Sequence, residues 1–428
     1  MADIITTANS NYRITNTDIS KQGFVAKEYL IDVLPNLLAS ITNTGLWGWG
    51  SGSGGALGNE NTTQRNSPVQ TIAGGNNWKR VHGNSSDSVC GVKKDGTLWL
   101  WGNNRNGKLG TNDTSTKSSP VQTVLGGNNW RQAATNYGNS GAIKDDGTLW
   151  IWGANDSGQL GTNDIIHRSS PVQTVAGGVN WRQMAIGYRH VSAVKIDGSL
   201  WSWGSNNRGQ LGDDTSSSRS SPVQTIALGS NWRQVSTGLE HTAAIKNDGT
   251  LWLWGRNHAG QLGDGTTTHR SSPVQTIAGG NTWKLVACGD YHTAAIKHDG
   301  TLWLWGNGGN GRLGHNSTQN RSSPVQTAAG GDNWHLVACG IYHTAAIKKD
   351  GSLWTWGSNS NGQLGTNDII HRSSPVQVIH PFNWFSICAT ADNTYGVKDD
   401  GSTAYEKSEF QVNNVDTNNI WTRKTYGN

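Results

Sequence analysis

A chain of 428 residues would ordinarily divide into about two or three domains, but 22 tryptophans beside four phenylalanines and two methionines point to one unit repeated many times. The formal net charge is +5, with no block of like charges, so an anionic partner is permitted but not demanded. No apolar run approaches the ~18 residues of a membrane-spanning helix, and the opening MADIITTANSNYRITNTDIS lacks the basic-then-apolar order of a secretory signal.

In chain order, residues 1–43 form a leader. Within it Ala26 to Ile41 reads as an amphipathic helix interrupted by Pro35. From there the chain repeats. Trp-x-Trp-Gly begins at Trp47, Trp99, Trp150, Trp201, Trp252, Trp303 and Trp354, spaced 52 residues once and 51 five times. Ser-Pro-Val-Gln recurs with Pro68, Pro120, Pro171, Pro222, Pro273, Pro324 and Pro375, and a third indole recurs at Trp78, Trp130, Trp181, Trp232, Trp283, Trp334 and Trp384. Only Trp421 stands outside the pattern, so the unusual composition is the repeat itself.

One unit, taken over 292–340, reads as four short strands. His292 to Lys297 is followed by Asp299-Gly300, a dipeptide that tolerates the positive φ of a hairpin turn. Thr301 to Trp305 returns, with Trp303 and Trp305 on one face and Leu302 and Leu304 on the other. Pro324 opens a third strand, where a missing N–H costs no ladder bond, and Trp334 to Cys339 is the fourth. Four-stranded units of ~40–50 residues imply propeller blades. The expected fold is therefore an all-β, seven-bladed β-propeller spanning 44–404, with indoles filling the gaps between blades and a polar, Asn-rich tail over 405–428. The first unit lacks a His-Thr-Ala-Ala-Ile-Lys strand, and its last copy, Thr394 to Lys398, lies near the C-terminus. Pairing of that strand with residues 46–50 would close the ring. Cys90, Cys288, Cys339 and Cys388 form no Cys-x-x-Cys pair and read as small buried thiols.

The stretch from Trp254-Gly255 through Gln261-Leu262-Gly263, with Gly289, His292 and Asp299-Gly300 and their counterparts around the ring, resembles the repeat of the regulator of chromosome condensation family. The resemblance covers all seven units and implies the same seven-bladed fold. It implies partners rather than substrates: some members act on a small GTPase or bind chromatin, using insertions for which these uniform units leave no room. The Trp-rich, nearly identical units are most similar to members encoded by bacteria and tailed bacteriophages. That implies a virion component, such as a decoration, tail or fibre-associated protein, held to other virion proteins through residues 1–43 and presenting a face to a host-surface glycan or protein. The alternatives are a cytoplasmic regulatory binding module with a GTPase or chromatin partner, or a glycan-binding lectin.

Four sets of residues are candidates for more than scaffold. A ring of cations, Arg65, Lys117, Arg168, Arg219, Arg270, Arg321 and Arg372, follows each Leu-Gly by seven residues in the most variable loop. It could attract an anionic partner, or each cation could bond its own loop, as a residue present in every unit more often does. Lys93, Lys144, Lys195, Lys246, Lys297, Lys348 and Lys398 precede the turn aspartates and are expected to pair with them or with a neighbouring carboxylate. His190, His241, His292 and His343, with Asp87, Asn139 and Asn393 at the same place elsewhere, suit hydrogen bonding inside each blade better than a metal. Finally, Ile165-Ile166 and Ile369-Ile370 occur in two identical loops and suggest contact with a partner. No Gly-x-Ser-x-Gly, His-Glu-x-x-His, P-loop or paired Cys-x-x-Cys occurs, so the expectation is no catalytic residue, no metal and no cofactor. Nucleic acid is not an expected partner.

Overall fold

Each Trp-x-Trp-Gly segment becomes the third strand of a four-stranded antiparallel sheet. The computed structural model describes residues 45–72, 77–83, 87–226, 229–380 and 383–398. Among these, 28 strands form seven sheets. Blade 5 is representative: Trp283–Cys288 lies innermost, then His292–Lys297, then Leu302–Gly306, with Arg321–Gln326 outermost. Blades 1 to 4 begin at Trp78, Trp130, Trp181 and Trp232, and blade 6 at Trp334.

The blade is thus framed one strand earlier than the unit 292–340. Trp334–Cys339 opens the next sheet, because the innermost strand pairs forward along the chain, Trp283 opposite Lys297 and Cys288 opposite Thr293. The outermost strand also starts three residues before Pro324. Its ladder is irregular between Leu304 and Gly306, which leaves the proline where no donor is needed.

The ring closes as expected. Blade 7 holds Trp384–Ala389 and Asn393–Lys398 from the end of the propeller, and Leu46–Gly50 and Arg65–Gln70 from its start. Leu46 lies opposite Val397 and Gly50 opposite Asn393. The Tyr395 hydroxyl, wholly buried, donates to the Ala56 carbonyl at 2.8 Å. The leader 1–43 and the tail 405–428 lie outside the described residues.

Indoles do fill the gaps between blades, but not both members of each pair equally. Trp305 is fully buried, meets Trp283 edge-on at 6.1 Å, and packs with Ile245, Leu251, Leu253 and Leu262 of blade 4. Its Nε1–H donates to the Gln261 carbonyl of blade 4 at 2.9 Å. Gly263, with φ +66°, makes room: a Cβ there would come within 2.8 Å of the Trp305 ring nitrogen. This close approach explains the Leu-Gly of every unit. Trp303 is only half-buried; its Nε1–H donates to Thr301 Oγ1 at 2.9 Å. Lys297 does not form an ion pair with the turn aspartate. Its Nζ stands 4.9 Å from the Trp283 ring and 4.7 Å from Trp303, a cation–π contact. Asp299 Oδ1 instead accepts from the Thr301 N–H and hydroxyl. The four cysteines are free and buried.

Candidate functional site

Two kinds of loop share one face of the ring. Short loops join the innermost to the second strand around the central channel, and long loops join the third to the outermost strand at the periphery. The opposite face carries the Asp-Gly turns.

The cation ring sits at the start of the outermost strands, on the rim of the loop face. Most of its members are held by aspartates of their own loops: Lys117 by Asp113 at 3.1 Å, Arg168 by Asp164 at 2.7 Å, Arg219 by Asp213 at 3.1 Å, Arg270 by Asp264 at 2.8 Å and Arg372 by Asp368 at 2.7 Å. Arg65 and Arg321 stand at the same place in loops without an aspartate. Such half-exposed pairs contribute ~0–1 kcal/mol. Arg168→Ala is accordingly expected to lower stability by no more than about 1 kcal/mol in urea denaturation, and a loss above about 2 kcal/mol would contradict a surface role. Ile165, Ile166, Ile369 and Ile370 are 66%, 61%, 56% and 60% exposed. They lie on the rims of blades 2 and 6 and do not converge.

The histidines are buried and join blades. His190 Nε2 lies 3.1 Å from Thr242 Oγ1 of blade 4, and that hydroxyl donates onward to the Gln210 carbonyl at 2.9 Å. The threonine proton being committed, Nε2 must carry the hydrogen and Nδ1 must be bare. His241–Thr293, His292–Thr344 and His343–Thr394 repeat the relay. The preceding glycine is a consequence: a Cβ on Gly187 would meet His190 Cε1 at 2.2 Å. Blades 2 and 7 carry Asn139 and Asn393 instead, and there the glycine becomes Asn136 and Thr390. In blade 1 the matching residue is Ser88, not Asp87: Ser88 lies opposite Gly102 as His190 lies opposite Gly204. No group of three or more His, Cys, Asp or Glu is placed to hold a metal among the described residues.

What the sequence reading passed over is the dipeptide between that glycine and the histidine. It reads Tyr188-Arg189, Leu239-Glu240, Asp290-Tyr291 and Ile341-Tyr342 in blades 3 to 6, with Tyr137-Gly138 in blade 2. The short loops carry these residues to the channel mouth. Tyr137 reaches from blade 2 to blade 5, where its hydroxyl donates to Asp290 Oδ2 at 2.9 Å. Burial and the Asp290 charge push the Tyr137 phenol well up, so it stays a donor. Tyr188 meets Tyr137 edge-on at 4.7 Å. Arg189 lies over Tyr188 at 5.0 Å, Arg256 over Tyr291 at 5.8 Å and Arg312 over Tyr342 at 5.3 Å. Beneath them Lys108 Nζ donates to the Tyr137 carbonyl at 3.0 Å, and burial brings its ammonium down to about 8. A cleft of about 100 Å³ opens between blades 3 and 4, lined by Tyr188, Arg189, Leu239 and Glu240 among others. One signal could have found this set: inside a framework repeated almost letter for letter, the pair at these two positions is different in each of blades 2 to 6.

Among the described residues no helix is long and apolar enough to cross a membrane. Over 303 residues the chain is 33% identical to the ultraviolet-B receptor UVR8 of Arabidopsis thaliana, covering 69% of this chain and 67% of that one. It is 28% identical over 395 residues to the mitochondrial RCC1 domain-containing protein RUG3 of Arabidopsis thaliana, covering 85% and 88%. The solved structure of Prp20p from Saccharomyces cerevisiae superposes with a TM-score of 0.72 over 83% of this chain and 91% of that one; at 18% identity this likeness speaks for the fold. The seven closed blades, the repeat that builds them and a match to the RCC1-like domain over residues 45–394 together show that the chain belongs to the RCC1-like domain family.

Proposed function

We propose that the chain is a non-enzymatic binding module that takes a protein partner on the loop face, at the channel mouth. One observation carries this reading. The scaffold is uniform, yet the short loops present a different pair in each of blades 2 to 6, and the side chains left accessible include Tyr137, Tyr188, Arg189, Glu240, Tyr291 and Tyr342. Tyr and Arg are the side chains most enriched at the energetic centres of protein interfaces. Their mutual contacts hold them in place before a partner arrives, which lowers the entropy lost on binding.

A cellular regulatory module is the better reading than a virion component. UVR8 is named a receptor, and the Prp20p structure is described together with binding to Gsp1p and histones. The rim cations and the two isoleucine pairs remain secondary candidates, since the former are largely neutralised and the latter lie apart.

The test is affinity capture with three forms of the chain. A partner retained by wild type and by Val175→Ser/Val179→Ser/Ile196→Ser on the opposite face, but lost at least about tenfold by Tyr188→Ala/Tyr291→Ala/Tyr342→Ala, is the expected result. Loss only with the opposite-face variant would place the interface elsewhere.

A further inference from the structure

Blade 4 departs from the repeat at one corner of the loop face. Where blades 3, 5 and 6 carry Ser205, Asn307 and Ser358, it has Arg256, and two residues on it has His258 in place of Asn207, Gly309 and Ser360. Its long loop carries His269, as those of blades 2 and 6 carry His167 and His371, and blade 3 contributes Arg208 alongside: the charges of Arg208 and Arg256 bear on both imidazoles. Arg208, His258 and His269 are exposed.

Both rings are oriented as donors. Arg256 Nε–H donates to His258 Nδ1 at 2.9 Å, and the Asn257 N–H donates to His269 Nδ1 at 2.9 Å. With Nδ1 accepting in each case, the hydrogen of the neutral ring is on Nε2. Two guanidiniums and two imidazole N–H groups are therefore gathered at one corner. The carboxylate nearest them, Glu240, is already bound to Arg256 at 2.9 Å. Glu240 also lines the cleft with Tyr188 and Leu239, so the donor corner and the cleft are continuous.

We propose that this corner docks an acidic peptide segment of the protein partner, its carboxylates taken by Arg208, Arg256, His258 and His269 and a neighbouring side chain entering the cleft against Tyr188 and Leu239. This rests on the loop face being the interface and names the chemistry of what it takes. The patch suits one or two carboxylates. A nucleic-acid backbone needs a longer run of cations, and here a glutamate interrupts it. The groups facing the imidazoles are Arg256 on their own loop, Arg208 from blade 3, Glu240 from the short loop of blade 4, and Tyr291 of blade 5, edge-on to His258 at 6.1 Å. Burial, then the two arginines, hold both rings below the usual histidine range. An arriving carboxylate favours their charged form, so binding takes up protons and tightens as pH falls.

The experiment is fluorescence anisotropy of a labelled deca-glutamate peptide with the full chain, beside a neutral Gly-Ser decamer, a ten-nucleotide oligothymidylate and inorganic phosphate as competitor. Deca-glutamate is expected to bind in preference to the others and several-fold more tightly at pH 6 than at pH 7.5. Arg208→Gln/Arg256→Gln should weaken it at least tenfold, His258→Gln/His269→Gln should remove the pH dependence, and Arg65→Gln on the rim of blade 7 should change nothing. No preference for deca-glutamate, equal binding by the double arginine variant, tighter oligonucleotide binding or full displacement by phosphate would each overturn the proposal. The double arginine variant also goes through the capture assay: a partner still held while the peptide is not refutes the acidic-segment assignment alone. Loss of the partner with the tyrosine variant tests the face itself.

Discussion

A chain ending at Ala389 is expected not to fold into a stable propeller. That truncation removes Asn393–Lys398, which is hydrogen-bonded on one side to Trp384–Ala389 and on the other to Leu46–Gly50. It is the only described link by strand pairing between the first and last parts of the ring. Tyr395 and Val397 leave with it, and their absence uncovers Leu46, Leu57, Trp78 and Trp101, which pack in the same cluster. Burying residues of this size contributes about 1.5–3 kcal/mol each, so the loss is on the order of the 5–15 kcal/mol that separates folded from unfolded domains. Near-ultraviolet circular dichroism should show loss of fixed tryptophan environments, and size exclusion an expanded or aggregated chain. Tyr395→Phe, which loses only the bond to Ala56, should fold and be destabilised by about 0.5–1.5 kcal/mol, since the Ala56 carbonyl still accepts from the Trp101 indole. A truncated chain melting at the wild-type temperature would show that strand closure is dispensable.

Acid is the second way to open the ring. Burial brings His190, His241 and His343 down to about 3 and His82 to about 4, and holds His292 well below its usual value. In the unfolded chain each titrates near its ordinary value of about 6.5. Above that pH both states hold neutral imidazoles and the relay contacts stabilise in full. As pH falls, the unfolded chain takes up protons that the folded chain refuses, so stability is lost progressively from about pH 6.5 toward the folded-state values. Each histidine costs about 1.4 kcal/mol per pH unit within that window. Several acting together bring the loss to the order of 10 kcal/mol near pH 5, and acid unfolding is expected at about that pH. His241→Asn, which copies what blades 2 and 7 already carry, should flatten the slope of stability against pH by about 1.4 kcal/mol per unit between pH 6 and 4. Urea denaturation at stepped pH reads this directly, and an unaltered slope would remove the histidines from the account.

How much of this the sequence disclosed depended on whether the information was periodic. Blade number, strand content and the closing pair were legible because each rests on spacing: Trp47 to Trp354 in regular steps, and a missing strand at one end matched by a spare at the other. The blade frame was not, since a repeat has no marked beginning and nothing local tells which strand faces the channel. Lys297 was assigned to the nearest aspartate, yet two indoles from different strands offered it a better place. Asp87 was matched to the histidines because the first spacing holds one residue more than the others, ahead of that strand. The channel-mouth cluster was missed for a different reason. Tyr137 and Asp290 are 153 residues apart and meet only because the ring bends them together, and averaging over repeats discards the positions that differ.

The innermost strands are not fastened alike. Gln132, Gln183 and Gln234 each reach one blade forward, donating to and accepting from the backbone of Met184, Val235 and Val286. Arg131, Arg182 and Arg233 add guanidinium bonds to neighbouring carbonyls. At the glutamine position of blades 5 and 6 stand Leu285 and Leu336, whose side chains have neither donor nor acceptor. Blades 2 to 5 therefore carry an extra lacing, whereas the joints from 5 to 6 and from 6 to 7 lack it and are held by the relays His292–Thr344 and His343–Thr394 and by the indole bonds from Trp356 to the Arg312 carbonyl and from Trp49 to the Gln363 carbonyl. The lacing is lopsided: it runs under the donor corner and most of the channel-mouth tyrosines and stops at blade 5.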